Sequence, residues 1–228
     1  MAVEDAAIEV TAFAWVPPFA RGYVRDLRVR WALEEIGLPY RVRLIGGAGG
    51  SPLGPARPEN FLLEQPFGQV PAYREGDLCL FESGAIVLHI GEKDERLLPR
   101  DAAGRARAIA WVFAALNSIE LQTVTLAVLG FAFPDADWTE AARRAFIPRV
   151  EMRLAAVAAA LGDKEWLEGV FTIGDLMMID ALRAVPEEGR LSAHENLAAY
   201  VARGTARPAF QRALAAQLGD FIEDAVTA

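Results

Sequence analysis

Hydrophobic and polar positions alternate at the start of the chain, where Ile8, Val10 and Ala12 are interleaved with Glu9, Thr11 and Phe13; this weak period-two pattern predicts a strand. WVPPFARG reads as a loop by its two prolines and glycine. Val29, Ala32, Leu33 and Ile36 then recur at i, i+3, i+4 and i+7, one face of a helix that Gly37 and Pro39 end. Tyr40, Val42 and Leu44 alternate with Arg41 and Arg43 in a second strand, so the order is βαβ, and crossover sterics favour a parallel, right-handed unit. Gly46 to Pro58 carries too many glycines and prolines for regular structure; it is a surface loop, either beside a site or a connector. ENFLLEQ predicts a short helix, VPAYREGDLCLFES two strands around a turn at Glu75-Gly76-Asp77, and SGAIVLHIGEK a further helix.

Beyond a charged stretch with Pro99, from Asp94 to Gly104, the strand pattern disappears. Alanine-rich helices are predicted over 105–131, 138–161, 173–185, 192–204 and 208–226, with breaks at Pro134, Gly162, Pro186 and Pro208. The chain thus reads as α/β followed by all-α: a first domain over 1–93, a linker over 94–104 and a helical domain over 105–228.

Composition narrows the function classes. With 23 basic and 31 acidic residues the net charge is −8, which argues against an electrostatic nucleic-acid or anionic-membrane partner. The most apolar stretch, Phe113 to Phe133, is interrupted by Asn117, Glu120 and Gln122, so no transmembrane helix is expected. MAVEDAAIEV is acidic where a signal peptide is basic, and the expected location is the cytoplasm. One cysteine and two histidines leave few ligands for a transition metal, and no metal is expected.

QPFGQVPAYREGDLCLFESGAIVLHI, from Gln65 to Ile90, closely resembles the glutathione-binding half of the soluble glutathione S-transferases. FTIGDLMMIDALRAV, from Phe171, resembles the capping motif of their helical domain, and RPAFQRAL, from Arg207, their C-terminal helix. The resemblance spans the chain, as for a bacterial-type member with an atypical catalytic loop. It implies a thioredoxin-like βαβ-ββα domain, an all-helical domain with a wall of the acceptor site, glutathione as co-substrate, a small electrophilic acceptor bound between domains, and a homodimer.

The residues can be read with and without that resemblance. Pro71 allows a cis bond that turns the Val70 N–H and C=O outward, or a trans bond at a strand's first residue. In the family those two groups pair with the cysteinyl backbone of glutathione, and Gln69, Val70 and Pro71 belong to the binding set. Ser83 and Glu82 stand where a strand gives way to a helix whose first turn has free N–H groups. By resemblance Ser83 holds the γ-glutamyl carboxylate and Glu82 the ammonium; alternatively Ser83 only caps the helix.

The family usually keeps the glutathione sulfur as thiolate with a hydroxyl or a cysteine near the first helix. Here no Ser, Thr or Cys lies between Phe13 and Leu33. Register against RVRWAL places Tyr23 to Arg25 near the catalytic position, making Tyr23 and Arg25 the candidates. Arg21, Arg25 and Arg28 can share a helical face, either stabilising a thiolate or carboxylates, or forming a solvated face paired with Asp26, Glu34 or Glu35. Trp15, Phe113 and Asn117 are candidate acceptor contacts, with core or helix-packing roles as the alternative for the aromatics. Cys79 alternates within a strand and is expected to be a buried structural thiol. Thr172 and Asp175 form a capping box with Phe171 and Leu176 as staple, Asp180 and Arg183 an ion pair, and His89 and His194 are structural.

The function expected is conjugation of the glutathione thiol to a hydrophobic electrophile. Two other readings stand beside it: a non-catalytic glutathione-binding or protein-interaction module, and a glutathione-dependent disulfide reductase without an enzyme cysteine.

Overall fold

The computed structural model describes residues 3–46, 59–186 and 189–221. Most of the loop read at Gly46 to Pro58, and the last turn of the helix expected to reach residue 226, lie outside the described residues. The chain divides into two compact units, Met1–Asp94 with Pro208–Ala228, and Glu95–Arg207.

The first unit is built on a four-stranded sheet of order β2-β1-β3-β4, with β1 Ile8–Phe13, β2 Tyr40–Ile45, β3 Ala72–Glu75 and β4 Leu78–Phe81. β1 and β2 are parallel, with Val10 opposite Val42, as the βαβ pattern requires; β1–β3 and β3–β4 are antiparallel. The β3–β4 turn uses Gly76 at φ +58, a conformation suited to glycine. β2 is an edge strand whose Arg41 and Arg43 reach Glu9 across the pair, at 3.0 and 3.4 Å, which places charge where a free edge would otherwise recruit another strand.

Helix α1, Asp26–Ile36, connects β1 to β2. Its first turn carries Asp26 at the positive dipole end, and Gly37 closes it in the left-handed conformation with its N–H on Leu33 C=O. The short α2, Glu59–Leu62, and α3, Ser83–Gly91, follow as the pattern predicts.

The last helix, α9 at Pro208–Asp220, packs on α1 within this unit, whereas the sequence groups it with the helical domain. Trp31 and Phe210 meet edge to face at 4.9 Å, and Arg212 Nε donates to Glu34 at 2.7 Å. The stripe of apolar positions on α9 predicts that a face is buried but not which partner covers it.

In the second unit, Asp101 caps a long helix by accepting the Gly104 N–H at 2.7 Å, so the helix starts inside the stretch read as linker. It runs as α4 (Ala102–Phe113), a seven-residue π-helical segment (Ala114–Glu120) and α5 (Leu121–Ala132). The span Ala102–Gly130, 29 residues, is long and apolar enough by length and composition to cross a membrane, a test that a core helix also passes. Here it packs against α6 (Thr139–Leu161) and α7 (Ile173–Arg183), burying Ala108, Val112, Ala115 and Ile119. The α4–α7 approach depends on Gly174, where a Cβ would stand 2.7 Å from Trp111 Cβ and 3.0 Å from Ala108 C=O. Helix α8, Glu195–Thr205, packs on α6 and α7.

Candidate functional site

Gln65 is buried and shapes the turn before β3: its side-chain oxygen accepts the Phe67 N–H at 2.7 Å and its C=O accepts the Gly68 N–H at 2.9 Å. Gly68, at φ +63, passes the chain to exposed Gln69 and to a cis Val70–Pro71 bond. Val70 and Pro71 are buried. Pairing of β1 with β3 ends at Val10 opposite Tyr73, so the Val70 backbone lies past the last paired position of that ladder.

At the other end of the hairpin, Glu82 has φ +68 and ψ 114, the one non-glycine residue with positive φ among the described residues. Such a residue is strained unless its surroundings hold it there. Glu82 is the N-cap of α3, its side chain makes no capping hydrogen bond, and it is exposed. Ser83 is therefore the first helical residue and does not cap α3 by itself. The first bond of the helix runs from Ile86 N–H to Glu82 C=O at 3.0 Å, which leaves the Ser83, Gly84 and Ala85 amides without an intrahelical acceptor. Ser83 is 4% exposed, and its Oγ accepts from Arg28 Nη1 of α1 at 3.2 Å.

The arginine trio is split. Arg21 and Arg25 precede α1, Arg25 as its N-cap without a capping side-chain bond; Arg28 lies inside the helix and is 3% exposed. The solvated-face reading fails for Arg28. Asp26 pairs with Arg30 and Glu34 with Arg212. Tyr23 is 50% exposed on the loop before α1, its N–H on Ala20 C=O.

That loop is held from α9. Gln217 Nε2 donates to Val24 C=O at 3.0 Å and to Asp26 at 2.8 Å, and Leu214 closes on Gly22, where a Cβ would meet it at 3.2 Å. Asp26 also accepts from Arg30 Nε at 2.7 Å. Arg30 Nη2 lies 2.7 Å from Asp220, an ion pair without hydrogen-bond alignment. Burial pushes the Asp26 carboxyl up, against the pull of Arg30 and Gln217. Gln217 and Asp26 are absent from the sequence-derived site; nothing local distinguishes a helix-end glutamine that reaches back about 190 residues.

The remaining candidates are divided between the two units. Trp15 is half-buried in the first unit, while Phe113, 56% exposed, and exposed Asn117 belong to the second. Cys79 is half-buried, not fully buried as expected; burial raises its pKa and keeps it a thiol. His89 faces Glu75 at 3.1 Å and stacks edge to face on Tyr73, and Arg183 donates to Asp180 at 3.0 Å. His194 stands at the N-cap of α8 without a side-chain bond. Among the described residues no group of three or more His, Cys, Asp or Glu is placed to hold a metal ion.

The glutathione S-transferase N-terminal domain family matches residues 19–92. Glutathione S-transferase 3 of Zea mays is 30% identical over 210 residues, covering 83% of this chain and 88% of the relative; glutathione S-transferase 1 of the same plant is 29% identical over 201 residues, covering 82% and 90%. Among solved structures, the theta class glutathione S-transferase of Xanthomonas axonopodis pv. citri with glutathione bound has a TM-score of 0.71 at 27% identity, covering 92% of this chain and 97% of that one. A glutathione transferase family member from Pseudomonas fluorescens with two glutathione bound has a TM-score of 0.78 at 24% identity, covering 91% and 92%, a likeness of fold. The chain belongs to the glutathione S-transferase family, and its enzyme class is that of a glutathione S-transferase.

Proposed function

We propose that the chain binds glutathione in its N-terminal unit and conjugates the thiol to a small hydrophobic electrophile. The observation that carries this reading is the start of α3: three amides without intrahelical acceptors, no capping side chain, and a buried serine. The γ-glutamyl carboxylate is assigned to Ser83 and those amides, the ammonium to Glu82, and the cysteinyl backbone to Val70, with Gln69 and Pro71 completing the binding set. The strained Glu82 backbone supports the assignment, since positive φ at a charged residue is kept where position matters.

The glutathione thiol loses its proton to solvent, the thiolate attacks the electrophilic carbon, a carbon–sulfur bond forms and the leaving group departs with its electron pair. Tyr23 is assigned as hydroxyl donor to the thiolate and Arg25 as nearby positive charge. The fixing of their loop by Gln217 and Leu214 supports a positioned catalytic role. Trp15 in one unit, and Phe113 and Asn117 in the other, are proposed acceptor contacts, each to be tested singly. A homodimer is proposed on the exposed apolar surface of the first unit, where Phe67 and Phe81, 67% and 39% exposed, meet edge to face at 6.3 Å. The proposed location is the cytoplasm.

Purified protein is expected to conjugate an aryl halide, with Tyr23→Phe and Arg25→Ala slower. Tight glutathione binding without turnover over a broad electrophile panel would replace the enzyme reading with a binding module. A second reading, reduction of small disulfides, is favoured by two solved structures that hold two glutathione molecules each, from Pseudomonas fluorescens and Burkholderia graminis. In this reading one glutathione thiolate opens the disulfide to a mixed disulfide and a free thiolate, and a second releases oxidised glutathione and the other thiolate. Such activity is expected to survive Cys79→Ala.

A further inference from the structure

We infer that Arg28 is a positioning residue for the γ-glutamyl carboxylate of glutathione, acting through Ser83; the inference rests on the assignment of that carboxylate to Ser83. Arg28 is 3% exposed, sits on α1, and donates from Nη1 to Ser83 Oγ at 3.2 Å across the α1–α3 interface. Ser83 is not its sole contact. A guanidinium has donors and no acceptor, so the Ser83 oxygen serves as acceptor in this bond and its own proton is left to donate elsewhere. That hydroxyl belongs to the first residue of α3, at the same helix end as the Ser83, Gly84 and Ala85 amides. A carboxylate held there would take the hydroxyl proton and the amides directly, with a full positive charge one hydrogen bond behind the serine. The chain as a whole carries −8, so its overall field does not attract an anion and the attraction must be local.

A residue that merely ties α1 to α3 would affect every ligand equally, whereas the role assigned here is specific to one carboxylate. The test compares dissociation constants, by titration calorimetry, for glutathione and for 4-aminobutyryl-cysteinyl-glycine, which lacks only that carboxylate, on wild type, Arg28→Gln, Arg28→Lys and Ser83→Ala. Wild type is expected to prefer glutathione, Arg28→Gln to lose roughly tenfold of that preference while binding the analogue as before, and Arg28→Lys to recover part of it. Equal weakening of both ligands in Arg28→Gln would overturn the inference. So would loss of the folded circular-dichroism signal in both arginine variants, since Arg28 would then be holding the fold. If Ser83→Ala leaves the preference intact, the assignment of the carboxylate to Ser83 fails as well. If Ser83→Ala erases it and Arg28→Gln does not, the role of Arg28 alone fails.

Discussion

The starts of α3 and α7 face the same physical problem, free amides at a positive dipole end, and resolve it differently. At α7 the protein supplies every partner. Thr172 Oγ1 accepts the Gly174 N–H at 3.1 Å, and Asp175 accepts the Thr172 N–H at 2.9 Å, the Leu167 N–H at 2.9 Å and the Tyr200 hydroxyl at 2.8 Å. All of this is buried, and burial pushes the Asp175 carboxyl up against the pull of those donors. At α3 the N-cap Glu82 makes no capping bond, its backbone is strained, and Ser83 is engaged by Arg28 from another helix. A helix start completed by its own chain serves folding. One left incomplete, beside a buried cation, is suited to a ligand that completes it.

Mutation should separate the two. Asp175→Ala removes the acceptor of four buried donors and is expected to lower the unfolding free energy by about 3 kcal/mol, read by urea denaturation, while glutathione affinity of the folded fraction is unchanged. Ser83→Ala is expected to cost only about 1 kcal/mol of stability, yet to weaken glutathione at least tenfold, on the order of one lost charge-assisted bond. If both substitutions act on stability alone, the contrast between the two ends disappears.

The contrast was half visible in the sequence. T-x-x-D before an apolar run announces the α7 box, because both partners lie within four residues. The order of elements along the first unit is legible for the same reason: period-two strands, a glycine turn and a glycine helix stop are local signals, whereas the pairing of β1 with β3 is not. The α3 end is not local. Glu82 and Ser83 look like a strand–helix junction with a capping serine; the positive φ that moves the cap to Glu82, and the Arg28 contact 55 positions away, come from packing. The arginine spacing suggested a shared face, but α1 begins only at Asp26, so Arg21 and Arg25 fall on the loop. The capture of that loop by Gln217 is likewise set by how α9 docks on α1. The π-helical segment has no composition cue either: AALNSIE reads as ordinary helix.

Two smaller effects are expected at the two ends of α3. Glu82→Gly is expected to raise stability by about 1 kcal/mol, as released backbone strain exceeds the entropy of glycine, while glutathione binding weakens through loss of the carboxylate. Read by thermal unfolding with and without glutathione, this would mark Glu82 as a site where stability is given up for function. A loss of stability instead would show the positive φ to be unstrained. At the far end of α3, hydrogen bonds from Lys93, then from His89 and Tyr73, outweigh burial and hold the Glu75 carboxyl down at about 2. Its folded pKa lies below the ordinary glutamate value, so its contribution is present above that value and is lost as pH falls toward 2. Acid unfolding monitored by circular dichroism is expected to show a smaller loss over that window in Glu75→Gln than in wild type.

The most direct test is residue-resolved amide NMR of the intact protein during titration with glutathione alone. Saturable shifts are predicted at Val70, Ser83, Gly84 and Ala85, with Gly174 and Asp175 at the closed helix start unmoved. Saturable binding that leaves Ser83 and Gly84 in place would contradict the account.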